Sequence, residues 1–292
     1  MAETKLKRLF GGCFTVDSPD LTKSDLVFVG LPDDSQSSYR RGCRFAPARI
    51  RQTYTGECYN SCTEPGVELE NSVVDFGDLP SHSTWDETAQ SYRECSETLL
   101  KQGKIPFFAG GDHAVTVPVV EALSALQQPI HLVQIDAHPD LYPEFDGSKT
   151  SHACTAARML EFEHVHSLTQ IGIRTMNKIQ SEQVERHPQR LWIYEARNLT
   201  GHLPELTHLP EDALVYLTVD MDAFDPAFAP GVSHAVPGGL TARQVIEFIH
   251  NFRGRLVGMD VVEVNPEWDI HDRTAILAAK LLHEAMGVCL KI

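Results

Sequence analysis

Three short segments concentrate the side chains able to hold cations. Asp136, His138 and Asp140 stand at i, i+2 and i+4, Asp220 and Asp222 at i and i+2, and His113 follows Gly110-Gly111-Asp112. In an extended chain alternate residues share a face, so the first segment could present three ligands to one point and the aspartate pair could do the same from another. Four carboxylates and two imidazoles in one place carry more negative charge than a protein interior tolerates without cations. Six ligands also exceed the three protein ligands of a catalytic single-zinc site, so shared carboxylates suggest two metals about 3.5–4 Å apart. The set is hard, dominated by carboxylate and free of thiolate, which favours two Mn2+ over zinc and leaves Ni2+ or Co2+ able to enter. One D-x-D or D-x-H alone is more often a turn or a helix cap; three in one chain point to metal.

The elements around these segments place them. Eight β-rich runs, at 25–30, 73–76, 105–109, 130–136, 168–173, 191–194, 214–220 and 256–262, alternate with stretches of helical apolar spacing, clearest over 84–103, 116–126, 241–252 and 274–286. Such alternation predicts a parallel sheet. Several runs are apolar nearly throughout, as strands covered on both faces are. A three-layer α/β/α sandwich follows, with a closed eight-stranded barrel as the competing architecture that periodicity does not separate from it. All three ligand segments fall at the C-terminal ends of predicted strands, where open parallel sheets bind their ligands. Region 56–83 reads as surface loop around a short strand, and no linker, charge block or repeat divides the chain, so a single domain over 1–292 is expected.

Composition narrows the partners. With 40 acidic residues against 25 Lys plus Arg, the formal charge of −15 argues against nucleic acid. No apolar run approaches the ~20 residues of a membrane span, and the first residues lack a secretory apolar core; a cytoplasmic protein is expected. Cysteines 13, 43, 58, 62, 95, 154 and 289 are odd in number and suit free thiols. Cys58 and Cys62 are the only close pair, with no second pair to complete a zinc site. Cys154 has no activating base at a telling spacing and reads as a packing thiol.

The segments together resemble the ureohydrolases, the family of arginase, agmatinase and relatives. The resemblance rests on Gly110-Gly111-Asp112-His113, Asp136-Ala137-His138-Pro139-Asp140, Ser151-His152-Ala153, the run from Asp220 to Gly231 (DMDAFDPAFAPG) and an N-terminal signature from Ser38 to Pro47 (SYRRGCRFAP). It implies a binuclear manganese centre in an α/β/α sandwich with an eight-stranded parallel sheet. One metal is then expected on His113, Asp136, Asp140 and Asp220, the other on Asp136, His138, Asp220 and Asp222. It further implies hydrolysis of a guanidino compound to urea and an amine, Asp140 moving a proton towards the leaving nitrogen, Glu263 clamping the guanidinium and His152 shuttling protons. A guanidinium carbon is resonance-stabilised, so hydroxide must be supplied at neutral pH, and paired cations lower the pKa of water. A homo-oligomer, trimer or hexamer, is the family expectation.

Specificity in the family sits in the loop after the metal strand. Residues 141–151 (LYPEFDGSKTS) depart from the pattern that holds the α-carboxylate in animal and bacterial arginases. The motifs Asp136 to Tyr142 (DAHPDLY), Ser151 to Ala153 (SHA) and Gly231 to Leu240 (GVSHAVPGGL) are similar instead to the agmatinase-related branch, which includes plant-type arginases. Agmatine ranks first, arginine second, another guanidino compound such as guanidinobutyrate or guanidine third. Glu144 and Asp146 suit a cationic tail and Lys149 a carboxylate, unless all three simply face solvent. A non-catalytic metal-binding relative is the reading of a different class, and the complete ligand set with Glu263 and His152 counts against it.

Overall fold

The computed structural model describes residues 14–15, 20–53 and 60–290. Its main elements run β1 (Phe14–Thr15), β2 (Leu26–Leu31), α1 (Ala46–Thr53), β3 (Val73–Asp78), α2 (Trp85–Lys101), β4 (Ile105–Gly110), α3 (Thr116–Ala122), β5 (Ile130–Ile135), α4 (Thr155–Met159), β6 (Val165–Ile173), α5 (Lys178–Arg186), β7 (Leu191–Glu195), β8 (Leu214–Asp220), α6 (Ala242–His250), β9 (Arg255–Val262) and α7 (Arg273–Cys289). The strands form one sheet in the order β1-β3-β2-β4-β9-β8-β5-β6-β7, and every pairing is parallel. The sheet is open, with edges at β1 and β7, which decides against the barrel. All eight expected strands are present, and the two-residue β1 adds a ninth beside β3.

Alternation along each strand divides the core in two. Leu26 and Phe28 of β2 face a cluster that contains Ile50 of α1, Ile249 of α6 and Leu282 of α7. Val27, Val29 and Leu31 face the opposite cluster, with Tyr92 of α2, Val119 of α3 and Met159 of α4. Both faces are therefore covered and the backbone between them is dry, the three-layer arrangement expected for such apolar strands.

The four helical patterns appear as α2, α3, α6 and α7. Thr84 caps α2 by accepting from the Glu87 N–H, and Thr241 with Gln244 closes a capping box on α6. Three helices escape periodicity for identifiable reasons. The α4 helix has five residues, too few for a repeat. The α5 helix buries only Gln180 and carries no apolar stripe. The α1 helix hides behind Pro47, which the first helical turn accepts. Cys13 and Cys58 lie outside the described residues, so the Cys58 and Cys62 pair is not described; Cys43, Cys62, Cys95, Cys154 and Cys289 are free thiols.

Chain order creates the crevice. After β4 the chain passes to β5, runs outward through β6 and β7, and returns to insert β8 and β9 between β5 and β4. The C-terminal ends of β4, β9, β8 and β5 thus lie side by side at a topological switch point, where such sheets bind ligands.

Candidate metal centre and substrate cavity

Each of these four neighbouring strands ends in a site residue: β4 leads to His113, β5 to Asp136, β8 ends in Asp220 and β9 precedes Glu263. Gly111 allows the β4 turn, because a Cβ there would lie 1.6 Å from the Asp33 carbonyl oxygen, and the next residue's N–H donates to that same oxygen.

Two ligand groups result. His113, Asp136 and Asp140 form one, and Asp136, His138 and Asp222 the other, the offered atoms within each lying within 4.8 Å of one another. His113 Nδ1 stands 3.1 Å from Asp136 Oδ2, 3.0 Å from Asp140 Oδ2 and 3.4 Å from Asp220 Oδ2. His138 Nδ1 is 2.9 Å from Asp222 Oδ2 and 3.8 Å from Asp136 Oδ1. Asp136 belongs to both groups. Asp220 approaches the first through Oδ2, while its Oδ1 accepts the Asp222 N–H at 2.8 Å; it is at once a turn cap and a candidate ligand.

Convergence is not achieved by an extended chain, as the i, i+2, i+4 spacing suggested. The β5 strand ends at Ile135, Asp136 Oδ1 accepts the His138 N–H at 2.6 Å, and Asp140 sits at φ +48°, the left-handed region. Asp222 lies in a 3-10 turn. A bent loop points three side chains inward where a strand would have spread i and i+4 about 13 Å apart. Glu263 is also left-handed, at φ +63°; non-glycine residues held there cluster at functional sites.

The donor set fits cations. Thr218 Oγ1 donates to Asp260 Oδ1 at 2.5 Å, so it accepts the Nε2–H of His113 at 3.0 Å. His113 Nδ1 then faces three carboxylates without a well-formed hydrogen bond to any of them, and although burial opposes it, Asp136, Asp140 and Asp220 draw the imidazole well above its ordinary range, so the position calls for positive charge. The same demand appears in the ionisation of the cluster. Burial, with Asp140 and Asp222 adding to it, pushes Asp136 up to about 7; burial and the same crowding raise Asp220. His138, although burial opposes it, is drawn up to about 10 by Asp222 and Asp136. Burial would raise Asp222 too, but His138 beside it holds that carboxyl well below the usual range.

A polar row beneath the ligands escaped the sequence reading. Asp260 of β9, Thr218 of β8, Gln134 of β5 and Gln170 of β6 are register partners across adjacent strands. Asp260 accepts from Thr116, Tyr216 and Thr218, and Gln134 donates to Asp136 at 2.7 Å while Gln170 donates to Gln134 at 2.9 Å. Ligand orientation is thus set from below. Their signal was available: each is a polar residue inside a strand covered on both faces, where only a hydrogen-bonded network is tolerated.

Glu263 and His152 meet above the cluster. His152 Nδ1 lies 2.7 Å from Glu263 Oε1, which also accepts the His113 N–H at 3.0 Å, and the Cys43 thiol donates to Oε2 at 3.3 Å. Burial lowers His152, but Glu263 outweighs it and draws the imidazole up to about 9. Asp112 accepts from the N–H groups of Gln36 and Ala114 and from the Ser37 hydroxyl. Arg174 donates to the carbonyls of Gly172, Asp222, Ala223, Phe224 and Val236, stapling the turn behind Asp222 to the wall.

A cavity of about 230 Å3 opens onto these groups. His138, Asp140, Asp220, Asp222, His152 and Glu263 line its floor, and Tyr142, Phe145, Thr175, Gln180 and His234 its wall. His234 was not singled out by sequence; its ring stands 5.3 Å from His152 and 5.9 Å from His138. Glu144, Asp146 and Lys149 are exposed and outside the lining, so the loop meets the cavity through Tyr142 and Phe145 instead. Cys154 is buried, and burial pushes its thiol up to about 11, as befits an inert packing residue.

Fold and site define an α/β/α protein that gathers histidine and carboxylate ligands at the C-terminal edge of a parallel sheet. Residues 24–287 match the model of the arginase family. The chain is 38% identical over 294 residues to "Arginase 1, mitochondrial" of Arabidopsis thaliana, covering 96% of this chain and 83% of that one. It is 30% identical over 282 residues to "Agmatinase" of Bacillus subtilis (strain 168), covering 94% and 96%. The solved structure of arginase from Medicago truncatula superimposes with a TM-score of 0.81 at 34% identity, over 91% of this chain and 88% of that one. The chain belongs to the arginase family and is a ureohydrolase-type hydrolase. Among the described residues no helix is long and apolar enough to cross a membrane.

Proposed function

We propose that the protein hydrolyses agmatine to putrescine and urea with two Mn2+ held by His113, Asp136, His138, Asp140, Asp220 and Asp222. The observation that carries the substrate choice is the cavity lining. Its floor is acidic and its wall aromatic, hydroxyl and amide, with no Lys or Arg among the described lining residues to bind a carboxylate. A guanidinium suits the floor, and a tail without a carboxylate suits the wall. Arginine is the second reading, favoured by the 38% identity to the Arabidopsis arginase.

Bound divalent cations would lower the pKa of water and so supply hydroxide at neutral pH. The remaining work belongs to the chain. Glu263, buried yet lining the cavity, holds the guanidinium through charge-assisted hydrogen bonds. Asp140, also in the lining, takes the proton still on the attacking oxygen after hydroxide has added and passes it towards the leaving nitrogen, since the amine must leave protonated. His152 exchanges protons between the cavity and bulk water. The same reading takes the chain as one ureohydrolase domain that forms a homo-oligomer, and its free thiols support a cytoplasmic site.

Urea release from agmatine, arginine, 4-guanidinobutyrate and guanidine, each after loading with manganese and separately with nickel, tests this. Agmatine is expected to give the highest kcat/KM. Faster turnover of arginine moves the assignment to the second reading, and silence on all four with two metals bound per chain overturns it.

A further inference from the structure

The N-terminal signature beginning at Ser38 has no part in the reaction as described so far, yet the structure places its first residue against His152. Ser38 Oγ lies 2.8 Å from His152 Nε2, and the Ser38 backbone N–H donates to that same nitrogen at 3.1 Å. A backbone N–H can only donate, so in this geometry Nε2 carries no proton; although Glu263 favours the charged ring, the contacts are those of the neutral Nδ1–H form, with Nδ1 donating to Glu263 Oε1. His152 is buried, whereas Ser38 is exposed. Segment 36–38 is itself fixed on both sides. The Gln36 carbonyl accepts the His152 N–H at 3.2 Å, the Gln36 side chain accepts from Thr150 Oγ1 at 2.7 Å, and the Gln36 N–H and Ser37 hydroxyl hold Asp112.

We propose that Ser38 is the outer end of a proton path that runs from bulk water through Ser38 Oγ and His152 to the cavity, and that segment 36–38 positions the histidine for it. The proposal rests on the shuttle role given to His152 above. Inward transfer puts a proton from water onto Ser38 Oγ while the hydroxyl's own proton passes to Nε2 and the Nδ1 proton leaves towards the departing amine. Outward transfer reverses each bond change when the next attacking water is deprotonated. A protonated guanidine and water give urea and a protonated amine with no net proton, so each turnover uses the path once in each direction and restores the Nδ1–H tautomer.

Ser38→Ala removes the hydroxyl but keeps the backbone N–H and every contact of Gln36. On the metal-loaded enzyme it is expected to lower kcat about tenfold with KM unchanged, the scale of one lost hydrogen bond in a transition state. Added imidazole, a soluble proton carrier, should restore kcat in a saturable way, and Ser38→Thr should retain it. Nitrogen-15 NMR of the histidine rings supplies a readout independent of turnover, and Ser38→Ala is expected to leave His152 in the Nδ1–H tautomer. A full-speed Ser38→Ala enzyme beside a slow His152→Ala enzyme overturns the Ser38 role alone. A full-speed His152→Ala enzyme overturns the shuttle reading and this path with it. A loss in Ser38→Ala that imidazole does not repair, or a ring that changes tautomer, reduces Ser38 to a packing contact and overturns the relay.

Discussion

The two ligand groups of the cluster are built differently. His113 is 1% exposed, surrounded by three carboxylates and anchored from below by Thr218 and Asp260. His138 is 29% exposed, lines the cavity and has its shortest approach, 2.9 Å, to Asp222 alone. The inner group has a buried histidine and meets the cavity only through its carboxylates, while the outer one presents its histidine to the cavity directly. The difference teaches which part holds and which part exchanges: a cation at the inner group would rest on His113 and Asp136, which the cavity does not reach, whereas one at the outer group would rest on His138 and Asp222, which both line it.

The largest effect should come from removing the residue that both groups share. Asp136→Ala is expected to empty both groups and lower urea release by on the order of 10³-fold or more. Metal analysis after gel filtration checks the first point and a urea assay the second; retention of both ions would break the link between the groups. Next is Glu263→Gln, which keeps the shape and removes the charge. It should lower kcat/KM by about 10²-fold, the scale of a charge-assisted hydrogen bond of ~2–3 kcal/mol, while two metals stay bound. A drop in metal content instead would make Glu263 part of the cluster's support.

Asp260→Asn sharpens the comparison, because its effect should reach one group only. Asp260 accepts from three hydroxyls, and an amide nitrogen facing them cannot accept. Loss of the Thr218 anchor is expected to weaken metal at the inner group by roughly 10–100-fold, with the outer group unchanged. Calorimetric titration with manganese resolves the two sites; equal weakening at both would show that the polar row supports the cluster as a whole.

Much of this was legible in the sequence, and the failures have physical causes. All eight long strands, and the meeting of the candidate ligands, follow from apolar runs that end in Asp and His, because burial on both faces leaves a continuous apolar signature and the candidate ligands stand where the strands stop. The convergence mechanism did not follow, since nothing in the spacing of Asp136, His138 and Asp140 reveals the left-handed turn at Asp140. Side-chain reach was also invisible: Glu144, Asp146 and Lys149 have the right charges but point to solvent, while Tyr142 and Phe145 meet the cavity. Gln134, Gln170, Thr218 and Asp260 look like ordinary interruptions until register places them in one row.

The smallest effect is on stability, and its sign follows from the crowded charges. In the metal-free protein Asp136 is raised to about 7, chiefly by burial, and His138 to about 10, against burial, by Asp222 and Asp136. Both groups bind protons more tightly folded than unfolded. Their contribution therefore falls as pH rises, through 7 for Asp136 and on towards 10 for His138. Asp222 and Glu263 are shifted the other way, and what they contribute is present above the ordinary carboxylate range and lost only in acid, outside this window. The metal-free protein should accordingly melt several degrees lower at pH 9 than at pH 6. Saturating manganese should cancel or reverse that slope, because the cations replace the protons and bind best when these groups are deprotonated. Differential scanning fluorimetry with and without metal at the two pH values reads both slopes. A metal-free melting temperature that rises with pH would mean that the cluster relaxes apart without cations, and that the buried inner group owes its closed geometry to the metal.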